Sequence, residues 1–169
     1  DGDAIRLDLS TPVETDRRYQ GAVAVRRGPL VFSLPVEAEE RTLPGEPDEP
    51  YAQREYHPTE AWNFGLAIDD DPAAESALDR SGPGDTPFDP DDPPITLDVE
   101  GVRVPDWTLN GPRAGPVPAS PTTADDHETL TLVPYGATTL RVTEFPLFQL
   151  SSMVVTYAAE STSRPLCAC

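Results

Sequence analysis

Ile5, Leu7 and Leu9 alternate with Arg6 and Asp8, the two-residue period of a strand with one face toward a core. The same period returns at Ile95, Leu97 and Val99, at Leu130 and Leu132, and at Leu140 and Val142. Residues 22–25 and 30–34 are apolar runs separated by Arg26-Arg27-Gly28-Pro29. Proline lacks a ladder donor and glycine favours a bend, so this stretch predicts two strand pieces joined by a kink. Residues 61–68 are rich in strand formers. Gly101 marks a bend before Val102 and Val104, and Trp107 and Leu109 come next. Residues 130–133 and 139–143 flank Pro134-Tyr135-Gly136-Ala137, which reads as a turn. That spacing predicts a hairpin with Leu130, Leu132, Leu140 and Val142 buried.

Between these strands lie long stretches of Pro, Asp and Glu at residues 39–60, 69–94 and 111–128, which read as loops, with short helical pieces at most near residues 73–78. Many short strands and no sustained helical period predict an all-β fold, an antiparallel β-sandwich with long Pro/Asp-rich loops. The length of 169 residues suits one domain, assigned to residues 1–146. Residues 147–169 hold one acidic residue, Glu160, where the preceding 146 hold 29, together with both cysteines and the single methionine. That break predicts a divergent or poorly integrated tail, although 147–157 could form one more strand. The chain opens on Asp1 in mid-pattern, so it is expected to be a piece of a longer polypeptide.

Thirty acidic against 12 basic residues give a formal charge of −18, and every basic residue is arginine. Such a surface repels phosphate backbones and anionic lipids, which argues against nucleic-acid and membrane partners. No apolar run approaches the roughly 20 residues of a membrane span. The acidic excess fits life in high salt, where carboxylate repulsion is screened over only about 3 Å at 1 M. A GC-rich genome explains the missing lysine but not the acidic excess. A cytoplasmic location is slightly favoured over export.

Metal and nucleophile signals are weak. Cys167 and Cys169 form a lone C-x-C far from His57 and His127, whereas a structural zinc site takes four ligands. Asp89, Asp91 and Asp92 are oxygen donors without an EF-hand loop. No phosphate loop, nucleophile elbow or Ser/His/Asp constellation stands out. Trp62 and Trp107 offer faces on which a pyranose could stack, though large aromatics more often fill cores or interfaces. Arg27 and Arg141 could hold a carboxylate through two parallel bonds, though pairing with neighbouring Asp and Glu is the commoner fate of exposed arginine.

Five segments in order carry a resemblance. They are Arg26-Arg27-Gly28-Pro29-Leu30-Val31-Phe32-Ser33-Leu34, Trp62-Asn63-Phe64-Gly65-Leu66, Val104-Pro105-Asp106-Trp107, the proline-rich run 116–121, and residues 130–146 ending in Glu144-Phe145-Pro146. Together they resemble the C-terminal β-sandwich region of the β-L-arabinofuranosidase-type glycoside hydrolases, family 127 and its relatives, formerly a domain of unknown function. The resemblance implies an accessory domain that packs against an N-terminal catalytic barrel. In that family a zinc-bound cysteine attacks the sugar and a glutamate serves as acid and base, both on the barrel. No position in this chain matches them, so no catalytic residue, cofactor or metal is assigned to it, and zinc belongs to the absent barrel. The implied partners are that barrel, an arabinose-containing glycan bound through the parent enzyme, and a second copy in a homodimer. A free carbohydrate-binding module and an inactive structural fragment are the alternatives. Arg27, Trp62, Asn63, Trp107, Tyr135 and Arg141 are the candidate contacts with barrel or carbohydrate. Glu144 is the one candidate for an independent acid/base role inside a family-like motif, and a solvated strand-end group is its plainer reading.

The charge reading makes a measurable prediction. Self-repulsion weakens the compact state in dilute buffer and is relieved by salt. The thermal midpoint should rise between low and molar KCl in a calorimetric scan, and a flat or falling midpoint assigns the composition to the genome instead.

Overall fold

A computed structural model of the chain describes residues 5, 11–44, 53–67, 77–79, 88–120 and 127–148. Residues 6–9 of the strand expected at 5–9, and the tail from residue 149 onward, lie outside this set. The elements are β1 (Val13–Arg17), β2 (Val23–Arg27), β3 (Leu30–Pro35), β4 (Ala38–Thr42), β5 (Arg54–Pro58), β6 (Phe64–Ala67) and β7 (Ala77–Asp79). They continue with β8 (Thr96–Arg103), β9 (Leu109–Asn110), β10 (Arg113–Ala114), β11 (His127–Pro134), β12 (Arg141–Val142) and β13 (Leu147–Phe148). Single 3-10 turns occupy Tyr19–Gly21 and Tyr135–Ala137. The fold is all-β, as the alternation predicts.

The main sheet runs β1-β2-β3-β11-β8-β6-β13, with β7 beside β8 and β12 beside β3. Pairing is antiparallel except between β6 and β13. The sheet curls around Val25, Phe32, Leu66, Leu97, Leu132 and Phe145, each with almost no solvent contact. In β8, Leu97 and Val99 face this core, and Val102 faces the opposite side. There it joins a second cluster with Ala67, Val104, Trp107 and Phe148. The sheet is thus covered on both faces at this end, giving the layered packing of a sandwich.

Two expectations about local connections are corrected. The Gly28-Pro29 break is a reversal: Arg27 pairs with Leu30 across it, so β2 and β3 form a tight hairpin. Gly28 has φ +54 and the proline ring holds φ negative, the sign pattern of a type II′ turn, whose twist matches that of the flanking strands. The hairpin expected between residues 130–133 and 139–143 does not form. β11 pairs with β3 through Val133–Ser33 and Pro134–Phe32, and β12 pairs with β3 through Arg141–Pro35 and Val142–Leu34. After the turn at Tyr135–Ala137 the chain reaches the other edge of β3. It enters where β2 and β3 splay beyond the Val25–Phe32 pair. There Val23 and Phe145 exchange both backbone bonds, at 2.8 and 2.9 Å, and the Val36 N–H donates to the Leu140 carbonyl at 3.0 Å. Leu130 and Leu132 are buried as expected, whereas Leu140 and Val142 are half-buried.

Pairing also continues past the domain boundary placed after Pro146. The Leu66 N–H donates to the Pro146 carbonyl, and Phe148 is buried in the second cluster as part of β13. Residues 140–148 therefore form one strap that touches β3, β2 and β6. Ser33, fully buried, shares a hydroxyl hydrogen bond of 3.0 Å with Thr143 of this strap. Residues 39–60, expected as loop, contain the antiparallel pair β4–β5. Its side chains are mostly exposed, and it makes a separate two-stranded sheet.

Gly65 and Gly101 make these close approaches possible. A methyl group at Gly65 would overlap the Phe148 ring and lie 2.7 Å from the Pro146 carbonyl oxygen, and one at Gly101 would overlap the Leu130 side chain. Overpacking of this kind costs about 1–3 kcal/mol. Urea unfolding should show both Gly65→Ala and Gly101→Ala destabilised in that range. Gly65→Ala should be the worse, because its obstacle includes backbone. Equal wild-type stability for both would contradict the strap's docking.

Candidate functional site

A cleft of about 310 Å³ opens at the end of the sandwich where Trp62 lies. Four parts of the chain wall it. β5 contributes Glu55, Tyr56, His57 and Pro58. The β9–β10 hairpin contributes Leu109, Gly111, Pro112 and Ala114. The strap contributes Leu140, Arg141 and Val142, and the segment just after β3 contributes Val36.

Trp62 is held from behind. Its ring meets Trp107 edge to face, with centroids 5.1 Å apart and planes at 68°. Trp107 is itself buried, and its indole N–H donates to the Gly115 carbonyl at 3.0 Å. Asn63 locks this corner: its amide donates to the carbonyls of Val104 and Trp107 at 2.9 and 3.0 Å, and its backbone carbonyl accepts the Val104 N–H. Asn63 is one of the two buried polar residues among those described, and its bonds stay inside the fold.

Arg141 stands on the strap wall. Its guanidinium carbon lies 3.6 Å from the centre of the Tyr135 ring, and it donates to the Thr138 carbonyl. Stacking on an aromatic face fixes a guanidinium plane and leaves its edge donors directed in that plane. No carboxylate pairs with Arg141 among the described residues. By contrast Arg26 bridges Glu14 and Asp16, Arg41 meets Glu39 at 2.6 Å, and Arg54 pairs with Glu40. These pairs are about half-exposed and contribute little to stability. On the β5 wall, Glu55 is engaged by the His57 Nε2 at 3.1 Å. The Tyr56 hydroxyl donates to Glu40 at 3.1 Å, a bond that raises its pKa above the usual tyrosine value because ionisation would break it. The Arg41 guanidinium holds the Glu39 carboxyl below the usual range.

Of the six candidate residues, the cleft brings Trp62 and Arg141 together, with Tyr135 behind Arg141. Asn63 and Trp107 lie beneath Trp62 as buried supports. Arg27 pairs with Leu30 and Arg141 with Pro35, so they stand at opposite ends of β3, about 17 Å apart along the strand. Glu144 lies 4.0 Å from Arg18, with both side chains half-exposed. Phe64 and Trp107 are at most 5% exposed, so neither ring presents a face to solvent. Glu55, Tyr56, His57 and Leu109 line the cleft although the sequence did not single them out as contacts. They sit on polar hairpins without apolar alternation, so no periodic signal marks them. No cluster of three or more metal-ligating side chains occurs among the described residues, and no helix there is long and apolar enough to cross a membrane.

No family model matches the chain, and neither curated proteins nor solved structures yield a match.

The Asn63 corner predicts a stability effect. Asn63→Ala removes two donors; the Val104 carbonyl keeps the Trp107 N–H, while the Trp107 carbonyl left unpaired in a buried site costs about 1–3 kcal/mol. Chemical denaturation should show a loss in that range or above it. The near-ultraviolet circular dichroism of the Trp62–Trp107 pair should weaken as well. An unchanged aromatic signal would mean that Asn63 does not hold the two rings.

Proposed function

We propose that this chain is a non-catalytic β-sandwich module of a glycoside hydrolase of the β-L-arabinofuranosidase type, seated against a catalytic barrel that precedes it. The observation that carries the reading is the convergence of the five segments on which the resemblance rests. The β3 end of the first pairs with the last through Leu34–Val142. Trp62-Asn63 of the second bonds to Val104 and Trp107 of the third. In the fourth, Val117 packs on the cluster containing Trp107. Ser120 accepts the N–H of Leu147, directly after the last segment. Segments more than a hundred residues apart thus build one structural unit, as the reading requires.

The mostly exposed β4–β5 arm supports a docking role, because the hairpin stands out from the main sheet and buries little against it. A second reading, a free carbohydrate-binding module, is favoured by the cleft with Trp62 on its wall. The coding sequence upstream of Asp1 decides between them. A helical-barrel segment carrying a glutamate and several cysteines supports the accessory module, and a stop codon with an independent start favours the free module.

The reading also predicts inactivity. The purified chain should release no arabinose from aryl β-L-arabinofuranosides. Turnover that persists through repeated purification and disappears in Glu144→Gln would overturn the non-catalytic assignment.

A further inference from the structure

We propose that the Trp62–Arg141 cleft is a subsite for an acidic sugar, a hexuronate whose ring lies against Trp62 while its carboxylate is held by Arg141. The inference rests on reading this chain as a glycan-handling module and adds the class of sugar. It begins with the situation of Arg141. In a chain with 30 carboxylates and only 12 guanidinium groups, a cation finds an acidic partner easily. Arg18, Arg26, Arg41 and Arg54 do, whereas Arg103 lies over the Phe64 ring. Arg141 instead rests on a neutral ring and a neutral carbonyl, and it faces a concavity.

A guanidinium carries five N–H donors in a rigid fork suited to a carboxylate. Thr138 accepts from Nη1, and the other donors have no partner among the described residues. The carboxylate on the cleft wall, Glu55, is held by His57 and is not bonded to Arg141. An incoming anion therefore has a preoriented donor set without displacing an internal ion pair. The remaining lining suits a sugar: Trp62 offers a braced aromatic ring, Leu109 an apolar rim, and Tyr56 and His57 polar edges. A volume near 310 Å³ is at the lower bound of small-ligand sites, roughly 300–1,000 Å³. The net charge of −18 opposes the approach of any anion at long range. That repulsion is screened in molar salt, and a partly buried contact is screened much less.

The test is calorimetric titration of the full 169-residue chain in molar KCl with matched methyl glycosides. Methyl glucuronoside and methyl galacturonoside are compared with methyl glucoside and methyl galactoside, which differ only in the carboxylate. Acetate and a methyl arabinofuranoside serve as further probes. At least one uronoside should bind in the millimolar range or tighter, and its neutral counterpart about tenfold more weakly, the worth of a charged hydrogen bond. Arg141→Gln should erase that difference while leaving the thermal midpoint and aromatic dichroism unchanged. Trp62→Phe, chosen over alanine to keep the Trp107 contact filled, should weaken acid and neutral sugars alike. Equal affinity for acid and neutral sugars overturns the inference while leaving a glycan site standing. Tighter binding of the arabinofuranoside does the same. Acetate binding as tightly as the uronosides, or no uronoside binding by the folded chain, also overturns it. The accessory-module reading is judged separately, by the upstream coding sequence and by hydrolysis.

Discussion

The strap of residues 140–148 is the constraint on which the other features depend. Its backbone exchanges bonds with β2 at Phe145, pairs with β3 at Arg141 and Val142, and pairs with β6 at Leu147 and Phe148. A curled antiparallel sheet has two edges whose backbone groups need partners. The strap satisfies that demand along β6 and supplies partners where β2 and β3 splay. It also delivers Phe145 into the main core and Phe148 into the second cluster. Two aromatic anchors close together on a nearly extended segment bury a large apolar area for few ordered residues. The same segment carries Arg141, so the cleft's cation is mounted on an element fixed at both ends.

The sequence made the strands legible wherever one face was apolar and the other polar. β8 and β11 follow the alternation of Leu97 and Val99 and of Leu130 and Leu132, because each of those side chains had to reach the core. Partner choice was not legible. Residues 130–133 and 139–143 have the composition of a hairpin, and a local pattern cannot state that a third strand fits better. In the folded chain β8 takes six residues of β11, from His127 to Leu132, and β3 takes its last two. Little of β11 remains to pair with residues 139–143, and Pro134 ends the ladder by lacking a donor. The Gly28-Pro29 pair misled in the opposite sense. Its chemistry is equally that of a kink and of a type II′ reversal, and only the pairing of Arg27 with Leu30 distinguishes them.

Half of the candidate site was visible for the wrong structural reason. Trp62 and Trp107 were equivalent by residue type, yet one lies on the cleft wall and the other beneath it. Asn63 decides this by tying the backbone of residues 104 and 107 to its own strand, so that Trp107 turns inward. Arg27 and Arg141 were likewise equivalent, and the length of β3 separates them. The β4–β5 arm was invisible because its side chains are mostly exposed and no buried face gives it an apolar period. Glu40 lies opposite Tyr56 and accepts its hydroxyl, and Arg54 reaches the same carboxylate. Polar strands of this kind read as loop in any pattern based on hydrophobic period.

The distribution of charge ties these points together. Exposed carboxylates on the arm pair with Arg41 and Arg54, while Arg141 faces the concave end, where the wall carboxylate Glu55 is engaged by His57. Turning a guanidinium away from abundant partners forgoes a modest attraction, since exposed pairs contribute under about 1 kcal/mol. The arrangement gains a preoriented donor set instead. Tyr135 fixes its plane, Thr138 fixes one edge, and the ordering cost that a flexible side chain would meet on binding has already been met in folding. Pro134 and the 3-10 turn that place Tyr135 are also the residues that send the chain across β3. In this fold the path that closes the sheet is also the path that prepares the cation.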